Sequence, residues 1–222
     1  YLVVLSEEWK NNLQVVKTNT SKIVIENYST IHKECLKRKN HQDKIILFLG
    51  FITELKGVFD VPDIAKKIIE CNSNVKFVLA GSGEIERLQA FIEEKGISQY
   101  FLFPGWVKKE EKERLLQEAD IFFLPSYTEA MPMSILEAMG YGLPIVTTNV
   151  GGIPQLVENG KNGYMIDPGK IDDFAKVILE LIGNDELIYC MGKESIEKAY
   201  EKYSLEKHLE KVCKLYENVL RE

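Results

Sequence analysis

Apolar residues in this chain come in two textures. From Lys44 onward, short unbroken apolar runs alternate with longer stretches in which apolar positions recur every three or four residues. The short runs cover residues 45–49, 75–80, 101–103, 121–124, 144–147 and 163–166, and the first four lead directly into Gly or Pro. Runs this short, with no polar alternation, predict strands buried on both faces of a parallel sheet. The periodic stretches at 60–70, 84–94, 110–118, 134–141 and 172–181 predict the helices between them. Strands alternating with helices build repeated βαβ units. The fold class expected is therefore α/β, a Rossmann-like parallel sheet with helices on both faces.

The two ends read differently. After Ile171 the pattern is helical to the end. Ser204 reads as the N-cap of a closing helix reaching about Leu220, with Leu205, Leu209, Val212, Leu215 and Val219 along one face expected to pack on the body. At the other end, residues 2–5 and 22–26 are strand-like, and 6–13 form a short helix with Ser6 as its cap. A polar stretch over 31–44, rich in Lys, Arg, His, Asn and Gln, reads as a linker. The division expected is 1–26 as the remnant of one domain, 27–43 as linker, and 44–222 as a second, whole domain.

Composition narrows the function classes. The chain's 222 residues carry 45% hydrophobic and 28% charged side chains, ordinary for a globular protein. A net charge of -6 argues against a nucleic-acid partner. No apolar stretch approaches the ~20 residues that span a bilayer. The opening has no basic leader or small-residue cleavage site, and without a starting Met the chain reads as a fragment. Its four cysteines, at 35, 71, 190 and 213, form no Cys-x-x-Cys pair and have no histidine at ligand spacing. They read as reduced thiols of a cytoplasmic protein.

Five segments can carry chemistry. The first is Pro125-Ser-Tyr-Thr-Glu129-Ala-Met-Pro-Met-Ser-Ile-Leu-Glu137, just beyond a strand end, where open parallel sheets bind ligands. Ser134 reads as the cap of the next helix, whose first amides suit a phosphate, and Glu137 reads as lying inside its first turn. A carboxylate there can accept from vicinal hydroxyls, although both acids are equally readable as a solvated loop residue and a favourable first-turn acid. The second is Gly50 to Gly57 after the first strand of the domain, with Lys56 able to pair with phosphate. The third, Gly81-Ser-Gly83, lacks the third glycine of a dinucleotide fingerprint, so no nicotinamide or flavin is expected. The fourth is Val150-Gly-Gly-Ile-Pro154 followed by the Asn159-Gly160 turn, structural or ligand-facing. The fifth, Phe103-Pro-Gly105-Trp106-Val107, offers a flat aromatic beside open backbone. No Asp-x-Asp, Gly-x-Ser-x-Gly, His-Glu-x-x-His or Walker loop is present.

In this order, from about Ile45 to Val219, these segments resemble the C-terminal domain of GT-B glycosyltransferases of family 4, the glycosyl transferases group 1 domain. The block Pro-Ser-x-x-Glu-x7-Glu-Ala-Met-x-x-Gly-x-Pro followed by Gly-Gly-Ile-Pro carries the resemblance. The opening segment resembles the end of the family's N-terminal, acceptor-binding domain. The resemblance implies a retaining transfer from a UDP- or GDP-sugar to an acceptor hydroxyl, without a metal or other cofactor, in bacterial surface-glycan synthesis. It assigns Glu129 to the donor sugar, Glu137 to the ribose hydroxyls and Lys56 to the pyrophosphate. Gly50 and the segment Met131, Pro132, Met133, Ser134 and Ile135 would meet the donor, and Trp106 and Val107 the base. The partners implied are the nucleotide-sugar donor and, through the absent domain, a glycan or lipid-linked sugar acceptor, with room for peripheral contact at the inner face of the cell membrane. One departure is Phe51, where the family often has Arg. An epimerase-type enzyme of the same fold and a non-enzymatic nucleotide-binding module are the competing expectations, and the fragment alone is expected to transfer nothing.

Overall fold

The computed structural model describes residues 1–13, 20–36 and 43–221. The opening is a small parallel pair, β1 (Leu2–Val4) and β2 (Lys22–Val24), with α1 (Glu7–Asn12) after β1. Ser6 is the cap its sequence suggests: its Oγ accepts from Trp9 N–H at 3.2 Å.

Six strands make the main sheet: β3 (Lys44–Leu49), β4 (Val75–Ala80), β5 (Phe101–Gly105), β6 (Ile121–Leu124), β7 (Ile145–Thr148) and β8 (Gly163–Ile166). Every neighbouring pair is parallel, in the order β5-β4-β3-β6-β7-β8. All four residues of β6 and all four of β7 are buried, which requires cover on both faces of the sheet. β5 is an edge strand. Its burial alternates, with Leu102 exposed, and it tolerates Pro104 because one side of its ladder has no neighbour.

The helices α2 (Val61–Cys71), α3 (Ile85–Glu94), α4 (Lys109–Glu118), α5 (Met133–Gly140), α6 (Ile153–Leu156), α7 (Ile171–Ile182), α8 (Asp185–Tyr203) and α9 (Leu205–Arg221) complete the fold. In α2 the buried Val61, Ile64, Ala65 and Ile68 recur at helical spacing and meet α7, which buries Phe174, Ala175, Ile178 and Leu181. α5 packs against α8.

Four expectations change. α5 begins at Met133 with Pro132 as its cap, so Ser134 lies inside the helix and caps nothing. Pro fixes the extended entry, and the helix starts at the first residue free to turn. Glu137 consequently falls beyond the first turn. The Gly-Gly-Ile-Pro segment, read as structural or ligand-facing loop, leads into the short α6, whose first two residues are its Ile153 and Pro154. α9 buries none of its residues: Leu205, Leu209 and Val219 stay exposed, while Val212 and Leu215 are half-buried. It is moored to the chain's opening instead. His208 Nδ1 lies 2.8 Å from the Glu26 carbonyl, Lys211 pairs with the Glu26 carboxylate, and the His208 ring sits 4.9 Å from that of Tyr28. A carbonyl only accepts, so Nδ1 carries the proton.

Of the stretch read as linker, residues 37–42 lie outside the described residues. Its preceding part lies against the body. Ser29 N–H donates to Tyr203 O at 2.9 Å, His32 N–H to Gly140 O at 2.8 Å, and the His32 ring stacks on Tyr141 at 4.1 Å.

Candidate functional site

The strand order reverses between β3 and β6. Chain leaving β3 runs outward through β4 and β5, and chain leaving β6 runs outward through β7 and β8. At such a reversal the loops beyond the two carboxyl ends diverge and leave a crevice. A cleft of about 530 Å³ opens there. That volume lies within the range that binds small organic ligands. Gly50, Lys56, Trp106, Val107, Glu129, Pro132, Met133, Ser134 and Glu137 all line it, so the structure brings together the residues singled out in the sequence. Met131 and Ile135 do not line it; both side chains are buried in the core.

Two loops build its floor. The β3 loop carries Lys56 and the β6 loop carries Glu129, joined by Tyr127 N–H donating to Leu55 O at 2.9 Å. Lys56 Nζ donates to Glu129 Oε1 at 2.6 Å, and Ser126 Oγ donates to the same oxygen at 2.8 Å. The Glu129 side chain is 7% exposed and that of Lys56 28%. A carboxylate so enclosed is held by charge-assisted bonds, which fix its position. The Gly81-Ser-Gly83 turn contributes support: Ile52 N–H donates to Ser82 O and Glu84 N–H to Ile52 O, each at 2.8 Å.

The paired glycines also find their reason here. A Cβ on Gly151 would lie 1.7 Å from Glu129 O, and one on Gly152 would lie 2.1 Å from Ala130 O. Gly152 N–H donates to Ala130 O at 2.8 Å. Only side-chain-free backbone can press so closely against the Glu129 loop.

The second acid faces a partner that the sequence reading missed. Glu137 Oε1 accepts from Lys112 Nζ at 2.6 Å, with both side chains partly exposed. Lys109 lines the same cleft one turn earlier on α4. The only sequence signal was the basic cluster Lys108-Lys109 and Lys112 just after Trp106-Val107. The cleft thus sets three ammonium groups against two carboxylates. It also receives the first turn of α5, where Met133, Ser134 and Ile135 have amides without intrahelical acceptors. Both features favour an anionic ligand. At the rim, Phe51 and Trp106 are exposed, with ring centroids 6.1 Å apart at 36°. Among the described residues, no group of three or more His, Cys, Asp or Glu is placed to hold a metal ion.

Residues 33–216 match the family model described as Glycosyl transferases group 1. The chain belongs to this family. Among curated members it is 32% identical over 184 residues to the D-inositol 3-phosphate glycosyltransferase of Corynebacterium jeikeium, covering 79% of this chain and 44% of that protein. It is 30% identical to the N-acetyl-alpha-D-glucosaminyl L-malate synthase of Bacillus anthracis, covering 82% of this chain and 48% of that one. The chain therefore spans about half the length of these group 1 relatives. A crystal structure of a mutant of S. aureus TarM, in complex with fondaparinux, alpha-GlcNAc-glycerol and UDP, superposes with a TM-score of 0.86 at 25% identity, covering 96% of this chain and 43% of that one. Among the described residues of this group 1 chain, no helix is long and apolar enough to cross a membrane.

Proposed function

We propose that this chain is the donor-binding half of a retaining glycosyltransferase that uses a nucleoside diphosphate sugar. The observation that carries the reading is the convergence of Lys56–Glu129 and Lys112–Glu137 on one cleft at the N-terminus of α5. The diphosphate sits against the α5 amides, with Lys56 beside it. Glu137 accepts the ribose hydroxyls, Glu129 meets the donor sugar, and Trp106 with Val107 edges the base. Phe51 supplies no guanidinium, so Lys109 and Lys112 complete the positive charge that the dianion needs.

In the reaction, the bond from the anomeric carbon to the phosphate oxygen breaks, and its electrons pass to the diphosphate. Lys56 and the helix amides stabilise that growing charge. The acceptor oxygen bonds to the anomeric carbon on the face the leaving group vacates. Both cleft carboxylates already hold an ammonium partner, so the acceptor proton passes to the departing phosphate. Chemistry of this kind needs no metal. The acceptor, a glycan or lipid-linked sugar, is gripped largely by the other half of the enzyme, which has room for peripheral contact with the inner face of the cell membrane. The TarM complex with UDP supports a nucleotide-sugar donor, and the named relatives support transfer of a glycosyl group.

Calorimetry with UDP and GDP tests the donor site. One of them binds, Glu137→Ala weakens that binding roughly tenfold by losing charge-assisted hydrogen bonds, and EDTA leaves it unchanged. Absence of heat with every nucleoside diphosphate, alone or as a sugar conjugate, overturns the reading.

A further inference from the structure

The strap of chain at residues 26–32 touches α5 at both ends. At the helix's exit, His32 N–H donates to Gly140 O at 2.8 Å, and a Cβ on Gly140 would lie 2.2 Å from Thr30 O. At its entry, Asn27 Nδ2 donates to Met131 O at 3.2 Å. The strap is anchored before and after Asn27. Glu26 O faces His208 Nδ1 at 2.8 Å, and Ser29 N–H donates to Tyr203 O at 2.9 Å. The half-buried Asn27 therefore reaches Met131 from a position that α8 and α9 hold.

Met131 belongs to the short link Ala130-Met131-Pro132, which joins Glu129 to α5. Ala130 O accepts from Gly152 N–H at 2.8 Å, and the next carbonyl, Met131 O, accepts from Asn27. Two distant parts of the chain thus grip consecutive carbonyls of one link. Its placement sets the Glu129 carboxylate on one side and the amides of Met133 and Ser134 on the other. Pro132, its φ of -69° fixed by the ring, leaves one torsion fewer to absorb a shift of Met131. Asparagine has the chemistry this contact needs. Its amide nitrogen donates to a carbonyl, which an ionised carboxylate of the same shape cannot do. The reversed amide would set oxygen against oxygen, so the orientation is fixed as well.

We propose that Asn27 is a positioning residue of the donor site, whose carboxamide holds the Met131 carbonyl and so sets the α5 amides and Glu129 for the diphosphate sugar. The proposal rests on the transferase reading above. It adds to the site a residue that does not line the cleft, and it makes the strap a support of donor binding.

Asn27→Leu keeps the side chain's bulk and removes its donor, whereas Asn27→Ala removes both. A space-filling role separates the two variants, and a donor role treats them alike. Calorimetry with UDP, GDP and inorganic pyrophosphate is run at a temperature at which thermal unfolding shows every variant folded. Both substitutions are expected to weaken whichever probe the unaltered chain binds roughly fivefold, the loss of one hydrogen bond. Hydrogen exchange without ligand supplies a second readout. The Gly152 amide grips the same link from elsewhere in the chain, and it is expected to exchange at least about threefold faster in both variants as the link loosens. Undiminished affinity in Asn27→Leu, with loss in Asn27→Ala alone or in neither, overturns the proposal. An unchanged Gly152 exchange rate also overturns it. If the unaltered chain binds none of the three probes, the donor reading itself fails and takes this role with it. Normal binding by the unaltered chain, with no loss in Asn27→Leu, is failure of this proposal alone.

Discussion

Gly151→Ala isolates what the Glu129 loop needs from its neighbour. Gly151 has φ +56, and its added Cβ would lie 1.7 Å from Glu129 O. Real Cβ contacts stay beyond 3.0 Å, so the loop must retreat by at least about 1.3 Å. That shift stretches the 2.6 Å bond between Lys56 and Glu129 past useful length and drags the following α5 entry with it. Gly160→Ala is the matched control. Gly160 has φ +77, and its Cβ would meet nothing within 4 Å. Both substitutions carry the left-handed backbone penalty of ~1–2 kcal/mol, but only Gly151→Ala displaces the site. Lys56 and the α5 amides, displaced with the loop, lose a charge-assisted bond to the diphosphate worth ~1.5–3 kcal/mol, so nucleoside diphosphate affinity should fall at least roughly tenfold for Gly151→Ala. For Gly160→Ala it should stay within about twofold, although both proteins melt lower by several degrees. Calorimetry beside thermal unfolding reads both effects. Equal nucleotide affinity in the two variants would refute the buttress.

Lys56→Met leaves the enclosed Glu129 carboxylate with only the Ser126 hydroxyl, and should cost about 2–3 kcal/mol, seen as a melting drop of about 5–10 °C; a drop under 2 °C contradicts it. Lys112→Ala breaks a pair that is partly exposed on both sides, so it should move the melting temperature by less than about 2 °C while weakening nucleotide binding roughly tenfold. Tyr141 is pushed up to about 12 by burial, with the Glu113 carboxylate second, so the fold favours its neutral phenol. That stability is complete below the ordinary tyrosine value of 10.0 and is lost as pH rises toward about 12. Tyr141→Phe should therefore raise the midpoint of alkaline unfolding, and an unchanged midpoint would count against this role.

The sheet was legible because burial on both faces leaves an unbroken apolar run, as in β6 and β7. The edge strand β5 was read as ending at Phe103, since Pro104-Gly105 looks like a turn; an edge has one unpaired side and absorbs the proline. The start of α5 was misplaced because Ser134 has the chemistry of a cap and Pro132 does not, yet chain entry decides the matter. Glu129, Glu137 and Lys56 were readable from loop position and family resemblance, and their cleft follows from the strand reversal. Lys112 was not, because its partner lies 25 residues away and nothing local marks the pairing. The Gly151-Gly152 turn was readable only as structural or ligand-facing, because the Glu129 loop it presses against is a tertiary fact. The stripe on α9 has the right period for packing, and periodicity alone does not say whether a surface is waiting for it.

The adjacency of β3 and β6, with Ile46 opposite Ile121, sets the timetable by which the cleft can appear. As the chain emerges from the ribosome, β3 can pair at once with β4, but its other edge must stay open until β6 arrives some 75 residues later. Such a distant closure is slow, and the open edge is exposed to wrong pairing meanwhile. A nucleotide has nowhere to bind before that closure. It can therefore rescue a protein that has already assembled its central pair and can do nothing for one still waiting, so ligand added during synthesis should change how long the finished chain survives more than how quickly it is made.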